Sequence, residues 1–193
     1  MRRLWVEFFP VLCSSLESEN EIEVIESFID SIAECVMQLG AGGLTKEDVE
    51  KITMVISEQL KAHEDRRLEA EAEEAEEDAD ADEVKEKLTD EAELEGEVLA
   101  RISDLIHNMF ETFGDAFFDL VEPLLPSFVQ LIDFHRAYPS RQYGICYIDD
   151  CIEFAPSKCA RYQEQFVPVM LRCLADEYPE FAKQLLTDSG NGC

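Results

Sequence analysis

The chain has 193 residues, 46% of them hydrophobic, which is enough for one ordinary domain or a short repeat array with a sizeable core. Its formal charge of −28 speaks against direct partnership with nucleic acid or an anionic membrane, because the summed field repels polyanions, and favours a basic partner. No uninterrupted apolar stretch approaches the ~18 residues that a membrane span requires.

In chain order, the opening MRRLWVEFFPVLCSS sets two arginines before apolar residues as a secretory signal does, but Glu7 and Pro10 interrupt the run. Residues 21–39 place Ile22, Ile25, Ile29, Ile32, Val36 and Leu39 at alternating three- and four-residue steps, the pattern of an amphipathic helix. Gly40, Gly42 and Gly43 supply left-handed backbone to end it, and Thr45 followed by Asp48 resembles a capping box that opens the next helix. That helix, over residues 45–63, puts Val49, Ile52, Ile56 and Leu60 on one stripe, and the Ala/Glu-rich composition beyond favours its continuation. Fraying is predicted where Asp78, Asp80 and Asp82 occur, with helicity resuming near Ala92. Val98, Leu99, Ile102, Leu105, Ile106, Met109, Phe110 and Phe113 then form a strong stripe closed by Gly114. Further helices are expected over 116–132, 140–155 and 159–174. No segment alternates with period two over a useful length, so the fold class is all-α.

Seven cysteines, an odd number mostly set among aliphatic residues, point to reduced thiols in the cytosol or nucleus. Charge is less evenly spread. Residues 64–97 hold 18 acidic residues against Arg66, Arg67, Lys85 and Lys87, a net −14, and residues 69–84 contain no base at all. Such a run is either a solvated, self-repelling spacer or an electrostatic lure for a Lys/Arg-rich surface, acting over a screening length of about 8 Å. On the second reading the contacts are Glu73, Glu74, Glu76, Glu77, Asp78, Asp80 and Asp82.

Three segments align on a proline: Phe9-Pro10-Val11-Leu12, Leu125-Pro126-Ser127-Phe128 and Val167-Pro168-Val169-Met170. Pro126 and Pro168 are 42 residues apart, within the span of about 40–47 residues of HEAT-type repeats, whose stacked helix pairs form a solenoid. We therefore expect an α-solenoid of antiparallel helix pairs over 1–40, 44–114, 115–156 and an incomplete 157–193, with 64–95 an acidic insertion in the second unit. A plain helical bundle is the rival.

Residues 135–154 read HRAYPSRQYGICYIDDCIEF. Here His135, Arg136, Pro139, Arg141, Gln142, Gly144, Cys146, Asp149, Asp150, Ile152 and Glu153 resemble a loop and helix of the importin-β (karyopherin-β) nuclear transport receptors, in particular the importin subunit beta-3 branch. Residues 102–107, the Glu122-Pro123-Leu124-Leu125-Pro126 segment and the position of the acidic interruption are similar as well. The resemblance departs after Tyr178-Pro179-Glu180-Phe181, where the family continues into further repeats; this leaves a fragment and a truncated relative as alternatives. It implies a monomer that shuttles between cytoplasm and nucleus. Such a receptor binds basic cargo proteins (ribosomal proteins, histones, basic import signals) and releases them to Ran-GTP. Without transport activity, the same architecture would be a scaffold.

Nothing in the sequence calls for an enzyme. Asp149 and Asp150 lack the differing environments of an acid–base pair; one is expected to accept hydrogen bonds from a neighbouring repeat or loop and the other to face the concave surface. His63, His107 and His135 are not in zinc-ligand spacing, and no phosphate loop or nucleophile motif occurs, so no metal or cofactor is expected. Tyr138, Arg141 and Tyr143 fall in or beside the loop between paired helices, where Arg141 and Gln142 would tie the loop to the next repeat; Tyr138 and Arg141, of types common as interface anchors, are also partner-contact candidates, together with Asp149 and Asp150.

Overall fold

The computed structural model describes residues 2–76 and 81–174, with side chains described outside 73–76, 81–93 and 173–174. Every element among them is helical. The first long helices are α1 (Arg2–Leu16), α2 (Ile22–Gly43), α3 (Lys46–Glu76) and α4 (Ala81–Phe113). They are followed by α5 (Asp115–Val121), α6 (Leu125–Leu131), α7 (Tyr138–Phe154), α8 (Pro156–Cys159) and α9 (Gln163–Leu174). No described helix is long and apolar enough to cross a membrane.

The predicted stripes are the packing faces. Ile25, Ile29, Ile32 and Val36 of α2 are buried against α4, whose Val98, Ile102, Leu105, Ile106 and Met109 are wholly inaccessible. The opposite side of α4 packs on α7, where the buried Tyr147 hydroxyl donates to the Leu99 carbonyl at 2.8 Å. A spine α2–α4–α7 results, with α1 on α2, α3 on α4 and α6 on α7 as the outer partners. The arrangement is an α-solenoid of antiparallel pairs, in which each pair covers the apolar face of its neighbour. In α1, Trp5 is buried and stacked on Phe9, their ring centroids 4.1 Å apart.

The helix boundaries follow local chemistry. Thr45 and Asp48 do form the capping box: the Asp48 carboxylate accepts from the Thr45 backbone N–H at 2.7 Å, and the Thr45 hydroxyl accepts from the Asp48 N–H at 3.2 Å. Arg2 binds the same carboxylate at 2.5 Å and also the Gly43 carbonyl, docking α1 on this turn. Burial alone would raise Asp48, but the Thr45 and Arg2 hydrogen bonds outweigh it and hold the carboxyl at about 2.

Three predictions need correction. The glycine-rich end of α2 is a kink and not a stop: Gly40 takes φ 59°, after which helical backbone continues to Gly43. The helix expected over 116–132 is divided by a 3₁₀ turn at Glu122–Leu124, because Pro123 and Pro126 contribute no backbone N–H to a continuous ladder. The helix expected over 159–174 is likewise split, with a 3₁₀ turn at Ala160–Tyr162. At the α6–α7 crossing, a Cβ on Gly144 would lie 2.8 Å from Leu131 Cβ and 3.0 Å from the Phe128 carbonyl oxygen, so the close approach of the two helices depends on the missing side chain.

Candidate partner-binding surface

The acidic block lies on both arms of the α3–α4 pair. Glu73, Glu74 and Glu76 belong to the C-terminal end of α3 and Asp82 to the start of α4, while Glu77, Asp78 and Asp80 lie outside the described residues. Helix α4 begins at Ala81, well before the expected restart at Ala92. The intervening Lys85, Glu86, Lys87 and Leu88 are strong helix formers whose summed propensity offsets the isolated aspartates.

Where the block meets the body, its charges are internally paired. His63 Nδ1 lies 2.7 Å from Glu95 Oε2, and Arg66 grips the same carboxylate through Nε and, at 3.1 Å, through Nη2. On the neighbouring turn, Glu64 accepts from Arg67 at 2.8 Å and from Arg136 at 2.6 Å, and Arg67 also binds Glu71. These pairs join α3 to α4 and to the loop before α7. The Arg67 hydrogen bond, aided by Arg136 against partial burial, lowers the Glu64 carboxyl to about 2. Burial pushes Glu95 up, yet the hydrogen bonds from His63 and Arg66 prevail and hold it below its ordinary value. A cavity of about 340 Å³ opens beside this network, lined in part by Ile22, His63, Arg66 and Arg136.

Sequence reasoning missed these anchors. His63, Arg66 and Arg67 stand at i, i+3 and i+4 on one helix face, a usable signal, but Glu95 is 32 residues from His63 in sequence.

The α7 candidates separate. Tyr138 is the first residue of α7, half-buried and packed against the core. Arg141 lies in the first helical turn and not in the loop; it is only 6% exposed, with its guanidinium carbon 5.9 Å from the ring centroid of Phe134. Phe134, 74% exposed, offers the surface that Arg141 itself lacks. Asp149 is half-buried, whereas Asp150 is buried and accepts from His107 Nδ1 of α4 at 2.8 Å. That hydrogen bond raises the His107 imidazole above its ordinary value, and burial raises Asp150 despite the pull of His107. Together these groups present charged and apolar surface.

The comparisons agree in kind. The importin repeat 6 family profile matches residues 24–133. The crystal structure of the karyopherin Kap121p bound to the SUMO protease Ulp1p superposes with a TM-score of 0.75 at 16% identity, covering 93% of this chain and 16% of that one. Kap121p bound to Nup53p gives 0.74 at 16% identity, covering 94% and 16%. A Kap121p mutant with seven substitutions gives 0.76 at 15% identity over the same shares. At this identity the likeness is one of fold, and the present chain spans 16% of the length of these structures.

Proposed function

The chain belongs to the importin repeat 6 family, and from that membership we propose that it is part of a non-catalytic nuclear import receptor of the importin subunit beta-3 branch. In this reading it takes up basic cargo such as ribosomal proteins and histones in the cytoplasm and gives it up to Ran-GTP in the nucleus. On this reading its helix pairs are repeats over 1–40, 44–114 and 115–156, with a further unit over 157–193, of which 175–193 lie outside the described residues. The observation that carries the reading is an importin repeat folded as a solenoid whose residues 64–97 bear a net −14. A basic surface is drawn to such a block and held by many weak, salt-sensitive contacts, with Glu73, Glu74, Glu76, Glu77, Asp78, Asp80 and Asp82 as the proposed cargo face. Asp149 and Tyr138 are proposed as secondary contacts on α7, and Arg141 and Asp150 as the groups that hold that surface in place. Release would follow from the differing affinity of cargo for the free and Ran-bound forms, without covalent chemistry. Solved Kap121p complexes with Ulp1p, Nup53p and Pho4p support a protein partner in general.

A stationary scaffold is the second reading, favoured by the internal pairing of Glu64, Glu71 and Glu95, which devotes part of the block to structure. Anisotropy of a labelled histone-tail peptide, followed by addition of Ran-GTP, separates the two. Binding with release supports the receptor, and binding without release supports the scaffold. A peptide that fails to bind at all removes both.

A further inference from the structure

Two cysteines meet where α7 gives way to α8. Cys151 stands in the last turn of α7, and Cys159 closes α8. In an unbroken helix, residues eight apart lie about 12 Å from each other along the axis, beyond side-chain contact. Here the helix breaks at Ala155, which takes φ −135° and ψ 49°, and Pro156 opens α8 without a backbone N–H. The break brings Cys159 Sγ to 2.9 Å from the Cys151 carbonyl oxygen, to which its thiol donates. The Cys151 thiol is in turn hydrogen-bonded to that of Cys159. Backbone bonds hold the same approach: the Cys151 carbonyl also accepts the Ala155 N–H at 3.1 Å, and the Ala155 carbonyl accepts the Cys159 N–H at 2.9 Å.

The two thiols differ in readiness to react. The hydrogen bond from Cys151 draws the Cys159 thiol below its ordinary value despite burial, with help from Arg161, while the same contact and burial push Cys151 up. Burial raises Cys13 and Cys35 as well. Both members of the pair are buried, but the cover over Cys159 is thin: Ser157, Ala160 and Arg161 around it are exposed, and α8 is a single turn that local opening can lift.

We propose that Cys151 and Cys159 are a site of reversible oxidation, closed by a peroxide into an intramolecular disulfide across the α7–α8 joint. Cys159 Sγ attacks one oxygen of hydrogen peroxide; the O–O bond breaks, the departing oxygen leaves as water with the thiol proton, and a sulfenic acid remains on Cys159. Cys151 Sγ then attacks that sulfur, the S–O bond breaks, and the hydroxyl leaves as a second water with the Cys151 proton. Two thiols lose two electrons, the peroxide gains them, and a dithiol reverses the link by exchange. Closure needs Cα atoms within about 7 Å, which thiols already in contact reach by adjustment at Ala155. The consequence is mechanical. Helix α7 belongs to the central spine and α8 leads into α9, so the disulfide fixes the direction in which the chain leaves the spine. The site stands apart from cargo binding and needs no basic partner.

The test treats the full, folded chain with hydrogen peroxide, blocks the remaining thiols with iodoacetamide in denaturant and maps the tryptic peptides by mass. Cleavage after Lys158 puts Cys151 and Cys159 on different peptides, so their link is read directly, and fragmentation distinguishes Cys151 from Cys146 on the same peptide. The Cys151–Cys159 link is expected to exceed any other cysteine pair about tenfold or more, because contact replaces diffusion, and dithiothreitol should remove it. The linked protein should melt roughly 5 °C above the reduced one, a gain absent in Cys159→Ser and in Cys151→Ser. Should either variant fail to fold, the wild-type map decides without it. Sulfinic acid on Cys159 with Cys151 still a thiol, a link that favours another pair, or two thiols untouched by the peroxide overturns the site. A link that forms but leaves Tm unchanged overturns the fixing of the joint.

Discussion

The two ends of α4 are held in different ways. From Val98 onward the helix is anchored by apolar burial, with Ile102, Leu105, Ile106, Met109 and Phe110 all inaccessible between α2 and α7. At Glu95, one turn earlier, the same helix is anchored by charge, through His63 and Arg66 of α3. Burial is insensitive to salt and to single protons, whereas ion pairs respond to both. One continuous helix therefore passes from a part that defines the array to a part whose attachment depends on solution conditions.

The largest expected effect breaks the apolar anchor. Phe110 is wholly buried, its ring centroid 5.0 Å from that of Phe117 and 5.6 Å from that of Phe154, so Phe110→Ala should cost about 3–5 kcal/mol in urea denaturation, by the same amount at low and high salt. Glu95→Gln breaks the charged anchor. It withdraws the anionic acceptor from His63 and Arg66 and should cost about 2 kcal/mol, shrinking in about 1 M NaCl; an equal cost at both salts would erase the contrast drawn above.

Asp48→Ala removes the capping box of α3 and should cost about 1 kcal/mol near neutral pH. Because the folded protein holds this carboxyl at about 2 and its ordinary value is 3.8, the contribution is present above pH 3.8 and is lost as the pH falls toward 2. Melting curves of variant and wild type should therefore converge in acid. The smallest effect is expected at His107. Its folded value lies above 6.5, so the His107–Asp150 contribution is fully present below pH 6.5 and is lost as the pH rises through the folded value. The difference in Tm between wild type and His107→Gln should narrow across that window, and a difference that widened with pH would contradict the assigned protonation.

The all-α class was legible in the sequence because Ile25, Ile29, Ile32 and Val36 on α2, and Val98 to Met109 on α4, recur with the helical period and all face neighbours. The capping box at Thr45 and Asp48 was legible because both partners lie within one turn. What periodicity could not convey was pairing across the array. His63 meets Glu95 over 32 residues and His107 meets Asp150 over 43, and no local pattern distinguishes those carboxylates from the many others nearby. The early start of α4 was missed because single aspartates were given more weight than the Lys-Glu-Lys-Leu run at 85–88.

The chain's single tryptophan, Trp5, sits sandwiched against Phe9 in the first helix. Its emission therefore reports the packing of α1, while circular dichroism averages over every turn. In a linear stack whose units touch only their neighbours, terminal units can detach while the middle persists. Fluorescence that changes at lower denaturant than ellipticity would reveal a stack that peels from α1; coincident curves would mean that it dissolves as one body.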